Sequence, residues 1–261
     1  MSCSLLLSCS GTARAAFQVV AAGSTGSIEV EQDGRLLDVD DLAGPVGGRT
    51  QVAELSAGPV LVRYSAQVPL DAVPPAVPTP QERWEALRPS RYCPSDRLGA
   101  LAFDLLGPHV STEPWERALA VSQWVRSRLS YVEGSSDGSD GALETLLARQ
   151  GVCRDFSHVV IALCRALDVP ARLVSVYAPG LSPMDFHAVA EVVVDDAWWV
   201  LDATGLAPRP SLVRIATGRD AADTAFLTTL GDPVALTRFE VLATTDGALP
   251  LDDHTHRVQL A

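Results

Sequence analysis

The first 70 residues alternate apolar and polar side chains with a period of two, and Val and Leu are frequent at the apolar positions. Such alternation is typical of β-strands that bury one face. The pattern predicts strands over residues 4–10, 16–21, 27–30 and 60–68. Glycine pairs and an Asp-Gly step between these stretches predict turns. We therefore expect a small amino-terminal β-sandwich, in which Cys3 and Cys9 are structural.

A proline-rich segment separates this region from the rest of the chain. Five prolines occur within residues 69–80. Because proline fixes φ and has no N–H to donate, we expect an extended chain here rather than a helix. The segment predicts a domain boundary, with the β-sandwich in residues 1–75 and a second domain in residues 76–261.

Beyond the prolines, the apolar residues follow a helical period. One predicted helix begins near Ser95 and ends at Gly107-Pro108, with an apolar face made of Leu98, Leu101, Ala102 and Leu105. A second begins at Ser111 or Thr112, with a face made of Trp115, Ala118, Val121, Val125 and Leu129. Further helices are predicted over residues 142–149 and 152–167, and strands over 171–177, 187–194 and 198–202. Helices followed by strands predict an α+β domain.

The charge balance narrows the range of partners. Asp and Glu total 32 against 20 basic residues, so the formal net charge is −12. Such a field repels nucleic-acid phosphates and anionic lipids, and we expect neither nucleic acid nor membrane as a partner. The start of the chain lacks the basic region of a secretory signal. We therefore expect a cytoplasmic protein whose five cysteines are reduced.

Two residue types are missing, and their absence restricts the chemistry. Every basic residue is Arg, and the chain contains neither Lys nor Asn. Lysine Schiff bases, Ser–Lys dyads and nucleophile–His–Asn triads are thereby excluded. The sequence has no Cys-x-x-Cys or His-x-x-x-His pair, so we expect no metal and no other cofactor. We interpret His254 and His256 as part of a solvated tail.

Cys153 is the first candidate for chemistry. Gly151 ends the preceding helix and places Cys153 in the first turn of the next, where free N–H groups and the helix dipole favour a thiolate and can hold an oxyanion. The alternative is a small buried residue at a helix start. His158 lies about 140° around the helix from Cys153, so we exclude it as the base. Cys164 lies three turns away and is assigned to the core.

His187 and Asp202 are the other candidates. If residues 195 and 196 form a two-residue hairpin loop, His187 and Asp202 project from the same face of neighbouring strands as diagonal neighbours. A three-residue loop would place them on opposite faces. The alternatives are a strand-end histidine satisfied by solvent and an aspartate in a turn. We interpret Gly218-Arg219-Asp220 as a turn followed by a helix cap at Asp220.

These residues carry a resemblance to a known family. Gly151-Val-Cys153-Arg-Asp-Phe-Ser-His158, Asp185-Phe-His187-Ala188 and Asp202-Ala-Thr204 occur in this order. Together they resemble the transglutaminase-like superfamily, specifically bacterial proteins that join an amino-terminal β-domain to a transglutaminase core. The resemblance is strong over residues 90–230 and loose over the β-domain. It implies a papain-like or transglutaminase-like core, in which a helix bundle packs on an antiparallel sheet.

The resemblance implies that Cys153 is the nucleophile, His187 the base and Asp202 the orienting acid. The implied reaction is acyl transfer or hydrolysis at a peptide or glutamine amide of a protein or peptide substrate, through a thioester. The calcium dependence of animal transglutaminases does not carry over, since no acidic ligand cluster matches it. The alternatives are a cysteine peptidase or amidase only, and a catalytically silent protein-binding module.

Two positions depart from the family pattern. Val189 stands where a tryptophan usually follows Phe-His-Ala, and Ala203 stands where proline usually follows the aspartate. Losing a tryptophan beside His187 favours water as the acyl acceptor, although Trp198 falls on the same face and could replace it. Because the chain contains no Lys, self-crosslinking through ε-lysyl bonds is excluded.

Overall fold

The amino-terminal region folds into antiparallel strands that alternate buried and exposed side chains. The computed structural model describes residues 1–69, 74–106 and 113–260. The first strands are β1 (Ser2–Cys9), β2 (Ala13–Phe17), β3 (Glu29–Gln32), β4 (Arg35–Leu36), β5 (Asp40–Ala43), β6 (Arg49–Leu55) and β7 (Gly58–Ser65). In β1, Cys3, Leu5, Leu7 and Cys9 are buried, as the period of two predicts. The structural assignment of Cys3 and Cys9 is confirmed.

The second region carries helices first and strands afterwards. Its helices are α1 (Pro80–Glu85), α2 (Gly99–Leu106), α3 (Pro114–Arg128), α4 (Ala142–Ala148) and α5 (Cys153–Ala166), with the short strands β8 (Ser130–Tyr131) and β9 (Gln150–Gly151) between them. The later elements are β10 (Ala171–Tyr177), β11 (Phe186–Val194), β12 (Ala197–Leu201), β13 (Val213–Gly218), α6 (Ala221–Thr224), β14 (Leu227–Gly231) and β15 (Val234–Leu242). The helix end predicted at residues 107–108 and the helix start predicted at 111 or 112 lie outside the described residues.

The core of the second region lies between α5 and an antiparallel sheet of order β12-β11-β10-β13. One side of α5 packs on β10 and β11, and α3 and α4 pack on its other sides. Almost every residue of α5 beyond its first turn is buried. The predicted apolar face of α3 is buried as well. These features confirm the α+β class, with helices packed on an antiparallel sheet.

Two late strands return to the amino-terminal sandwich. β15 pairs with β1, and β14 pairs with β2. They complete a sheet of order β15-β1-β7-β3-β4 and a second of order β14-β2-β6-β5. Residues 227–242 belong to the predicted second domain, residues 76–261, but their hydrogen bonds place them in the sandwich sheets. Periodicity reports that a segment is a strand but does not identify its partner.

A buried ion cluster connects three strands of the sheet of order β12-β11-β10-β13. The Glu191 carboxylate of β11 accepts hydrogen bonds from Arg172 of β10 at 2.8 Å and from Arg214 of β13 at 2.7 Å. Burial alone would raise the pKa of Glu191, but the two guanidinium groups hold it below its usual value. The paired charges tie β11, the strand that carries His187, to β10 and to β13 on the far side of β10.

Candidate active site

Cys153 is the first residue of α5, and the turn before it is held by Asp155. The Asp155 carboxylate accepts the N–H of Val152 at 2.8 Å and the hydroxyl of Ser136 at 2.5 Å, while Arg154 pairs with its other oxygen. A Cβ at Gly151 would lie 2.6 Å from Cβ of Asp155, so only glycine leaves room for this cap. Cys153 is partly exposed, whereas the other four cysteines are buried.

The hairpin of β11 and β12 has the predicted register. Val194 pairs with Ala197, and the loop consists of Asp195 and Asp196, whose φ angles of 49° and 60° form the tight turn. Continuing this register brings His187 and Asp202 to the same face. Nε2 of His187 lies 2.9 Å from Oδ2 of Asp202, and both side chains are almost completely buried. The predicted contact is confirmed.

Asp202 is held by the residues that follow it as well as by His187. Its Oδ1 atom accepts the backbone N–H of Thr204 at 2.8 Å and the hydroxyl of Thr204 at 2.7 Å. Both carboxylate oxygens are therefore engaged, one by the imidazole and one by the turn. This leaves the carboxylate in a single orientation toward His187.

The charges of the site favour an imidazolium–carboxylate pair. Burial lowers the pKa of His187, but the Asp202 carboxylate and the Cys153 side chain outweigh it and raise this pKa to about 10. Burial raises the pKa of Asp202, but His187 and the bonds from Thr204 hold it below its usual value. The second ring nitrogen, Nδ1, is buried and makes no hydrogen bond of normal geometry to the described residues. The Cys153 thiol is close enough to act on the ring electrostatically.

Cys153 and His187 share one cavity of about 410 Å³. The sandwich supplies part of its wall through Gln18, Leu227 and Phe239. The remaining lining comes from Tyr92, Gly138 in the loop before α4, the first turn of α5, the β12-β11-β10-β13 sheet with the residue before β11, and the α6–β14 segment. It includes Leu173, Ser175, Asp185, Phe186, Ile215, Thr224, Ala225 and Phe226. The site is therefore a cleft between the two regions of the chain.

Other sequence candidates lie apart from this chemistry. His158 is buried and stacks on Tyr92, and its Nε2 atom accepts the N–H of Ala221 at 3.2 Å. Burial lowers the pKa of His158 to about 4, so its ring is neutral near pH 7. Cys164 is fully buried, as predicted, and burial raises its pKa to about 12. Asp220 caps α6 by accepting the N–H of Ala222 at 2.9 Å, also as predicted.

The expectation that Trp198 replaces the missing tryptophan beside His187 is wrong. Trp198 is buried against Ala86 and Val193, and the Arg172 guanidinium lies 3.7 Å above its ring. It is absent from the described residues that line the cavity. It shares a sheet face with Asp202 but lies four residues earlier along the chain, about 13 Å in an extended strand. Same-face periodicity alone does not establish contact.

Two residues near the site were not found from the sequence. Tyr131 pairs with Gly151 across β8 and β9, and burial together with the nearby Cys153 charge raises its pKa. Asp185 lines the cavity, and burial raises its pKa. Tyr131 reaches Cys153 through a two-residue parallel pairing that has no periodic signature. Asp185 belongs to the Asp185-Phe-His187-Ala188 motif, but nothing in the sequence assigns it a role of its own.

The described residues show neither a metal-binding cluster nor a membrane-spanning helix. The part of the chain that the structure describes contains no group of three or more His, Cys, Asp or Glu side chains arranged to hold a metal ion. Over the same residues, no helix combines the length and the apolar character needed to cross a membrane.

The helix-borne cysteine, the strand-borne histidine and the antiparallel sheet beneath them define a transglutaminase-like core. Residues 101–203, which carry Cys153 and His187 and end just after Asp202, match the family model of the Transglutaminase-like superfamily. The match identifies this part of the chain as a transglutaminase-like core.

Relatives of the chain have been found in mycobacteria and among solved structures. An uncharacterised Mycobacterium leprae protein is 29% identical over 153 residues, 54% of this chain and 53% of that protein. An uncharacterised Mycobacterium tuberculosis protein is 31% identical over 129 residues, 44% of this chain and 41% of that protein. The chain thus spans about half the length of these curated relatives. The crystal structure of a candidate cysteine protease from Cytophaga hutchinsonii matches with 28% identity and a TM-score of 0.84, covering 100% of this chain and 96% of that one.

Proposed function

We propose that the chain is a thiol enzyme that cleaves an amide of a peptide or protein substrate through a thioester on Cys153. The observation that carries this proposal is the His187–Asp202 pair, buried and bonded at 2.9 Å, in the same cavity as the partly exposed Cys153 thiol. A buried charge pair at the wall of a cleft is costly to maintain without a use, and perturbed pKa values cluster at functional sites. The similarity to a candidate cysteine protease adds support.

The first half of the proposed reaction forms the thioester. In the proposed step Cys153 reacts as a thiolate, in an ion pair with the protonated His187 imidazole. The sulfur attacks the carbonyl carbon, and the imidazolium donates its proton to the departing nitrogen as the C–N bond breaks. Its pKa of about 10 keeps His187 protonated near pH 7. Among the described residues, the Asp202 carboxylate is hydrogen-bonded to His187 and Thr204, so its proposed role is to orient the ring and stabilise its charge.

The second half of the reaction returns the thiol. A water or amine attacks the thioester carbon and gives a proton to the now neutral His187, and the C–S bond breaks to release the thiolate and the acyl product. Water is the favoured acceptor, because no tryptophan occurs among the described lining residues and Cys153 is partly exposed. Transfer to an amine is the second candidate, favoured by the superfamily match.

Turnover of p-nitrophenyl acetate tests the thioester chemistry without a specific substrate. We expect a burst of nitrophenol equal to one per chain, which Cys153→Ala abolishes. Cys9→Ala, which changes a buried cysteine of the sandwich, is the control and should retain the burst. A burst that survives Cys153→Ala would contradict the proposal. Adding a dansylated amine to an amide substrate that turns over then separates transfer from hydrolysis by the ratio of new amide to free acid.

A further inference from the structure

The cavity that holds Cys153 and His187 is lined in part by the sandwich. Leu227 of β14 and Phe239 of β15 belong to its wall. Both strands are hydrogen-bonded into the sandwich sheets rather than into the sheet that carries His187. The sandwich is therefore part of the cleft that a substrate would enter.

Three phenylalanines form a continuous apolar wall of this cavity. The rings of Phe186 and Phe226 lie 5.2 Å apart, and those of Phe226 and Phe239 lie 6.4 Å apart. Leu173 and Ile215 complete the apolar lining. Phe239 remains 42% exposed although it packs against Phe226. A ligand that covered this ring would gain hydrophobic free energy.

The donors of the polar side chains Gln18 and Ser175 in the lining are already engaged internally. The Gln18 amide donates to the carbonyls of Asp223 at 3.0 Å and Ala225 at 3.3 Å. The Ser175 hydroxyl donates to the carbonyl of Ala216 and accepts the N–H of Ala216 at 3.2 Å. A ligand acceptor would have to displace these donors from their bonds, whereas an apolar ligand leaves them intact.

Besides the His187 imidazole, the charged side chains of the described lining are those of Arg154 and Asp185. Arg154 directly follows Cys153, and its guanidinium is held by Asp155 and Ser136. Asp185 lies two residues before His187 and accepts the N–H of Phe186. An acidic substrate side chain would meet the Asp185 carboxylate and no unengaged cation in this lining. The distribution of charge therefore disfavours acidic residues next to the reacting amide.

We infer that the acyl donor carries a large apolar side chain, aromatic or long aliphatic, which fills the space between Phe186, Phe226 and Phe239. An apolar cavity of roughly 150 Å³ holds a benzene ring, so a cavity of about 410 Å³ has room for such a side chain and the adjoining backbone. This inference rests on the proposed function. It assigns specificity to the strands that the sandwich contributes.

A peptide series tests the inference. All peptides share one sequence with a central glutamine. In each peptide one of the four positions within two residues of that glutamine is changed to Phe, Leu, Ala or Glu. Mass spectrometry reads deamidation, amide exchange and chain cleavage together. At one position, we expect kcat/KM to be at least about tenfold higher for Phe or Leu than for Ala, and lowest for Glu.

Variants of Phe239 test whether its ring selects the apolar side chain of the substrate. Phe239→Ala should reduce the preference for Phe over Ala by about tenfold, and the nitrophenyl acetate burst is measured beside it as a check on Cys153. Phe239→Leu should retain most of the preference. Phe103→Ala, at a ring that is 71% exposed on α2, is the matched control and should change neither measurement.

The outcomes separate this inference from the function on which it rests. Loss of the Cys153-dependent burst in the unmodified protein would overturn the proposed function. A normal burst with equal rates for all four side chains, or with no reaction of any peptide, would overturn the apolar specificity alone. A preference that survives Phe239→Ala in a variant with an unchanged melting temperature would remove the sandwich from the specificity site.

Discussion

His187 and Asp202 are 15 residues apart in sequence, yet their side chains meet at 2.9 Å because a two-residue turn sets the register between their strands. In this register, residue 202 faces residue 189, one step of the same-face repeat from His187. A single extra residue in the Asp195-Asp196 turn would place the carboxylate and the imidazole on opposite faces. The proposed chemistry therefore depends on the length of an exposed turn.

Cys153 should be the first cysteine to react with iodoacetamide. It is partly exposed, whereas Cys3, Cys93 and Cys164 are buried, and burial raises their pKa values to about 11, 12 and 12. Mass mapping after brief treatment at pH 6 measures the order of labelling. Cys153→Ser should remove the fast phase without accelerating the others. Faster labelling of Cys93 or Cys164 would contradict the proposed ion pair.

Asp202→Asn should reduce turnover by about 10²- to 10⁴-fold while leaving the fold intact. An Asn side chain can still accept the Thr204 bonds, but it cannot stabilise a charged imidazole. Burst and steady-state kinetics measure the loss, and circular dichroism checks the fold. Asp253→Asn, a change at an exposed residue near the carboxyl end, is the control. Unchanged turnover in Asp202→Asn would remove Asp202 from the site.

The His187–Asp202 pair should make stability pH-dependent in a defined window. The folded pKa of His187 is raised from 6.5 to about 10, so its contribution is complete below pH 6.5 and is lost as the pH rises through 10. The lowered pKa of Asp202 contributes above pH 3.8 and is lost as the pH falls through its folded value. Urea unfolding should show a wild-type advantage over Asp202→Asn of about 1–3 kcal/mol at pH 6. This advantage should be smaller at pH 10. A difference in unfolding free energy that is the same at pH 6 and pH 10 would contradict the raised pKa of His187.

His158 should have the opposite effect on the pH dependence of stability. Its folded pKa is lowered from 6.5 to about 4, so the unfolded chain binds a proton that the folded chain excludes, and stability falls as the pH drops from 6.5 to 4. His158→Gln keeps an acceptor for the Ala221 N–H but does not titrate. We expect the free energy of unfolding of this variant to fall less steeply with decreasing pH, by up to about 1.4 kcal/mol per pH unit. His256→Gln, at an exposed histidine, should leave the slope as it is.

Gly151→Ala should weaken both stability and turnover. Its Cβ would lie 2.6 Å from Cβ of Asp155, so the cap that holds the start of α5 must move and Cys153 with it. Such overpacking costs about 1–3 kcal/mol. Thermal melting and the nitrophenyl acetate burst measure the two effects. Gly99→Ala, where a Cβ meets nothing within 4 Å, is the matched control. Equal melting temperatures for the two variants would show that the Asp155 cap is not essential.

Local pattern was sufficient to place most of the candidate site. The buried face of α3, the start of α5 near Cys153 and the loop between β11 and β12 all follow from signals within a few residues. The contact between His187 and Asp202 could be predicted because hairpin register is itself a local property. Helix α1 was missed because its Pro80 start was interpreted as part of the proline-rich segment.

The class of fold and the candidate site residues can therefore be predicted from the sequence, since periodicity, turn length and the family motifs are all properties of short segments. Tertiary structure alone decided that β14 and β15 pair with β2 and β1, and so that the cleft has a wall from the sandwich. It also placed Tyr131 beside Cys153 and moved Trp198 away from the cavity. Backbone hydrogen bonds between strands are nearly independent of side-chain identity, so the partner of a distant strand is chosen by packing of the whole molecule.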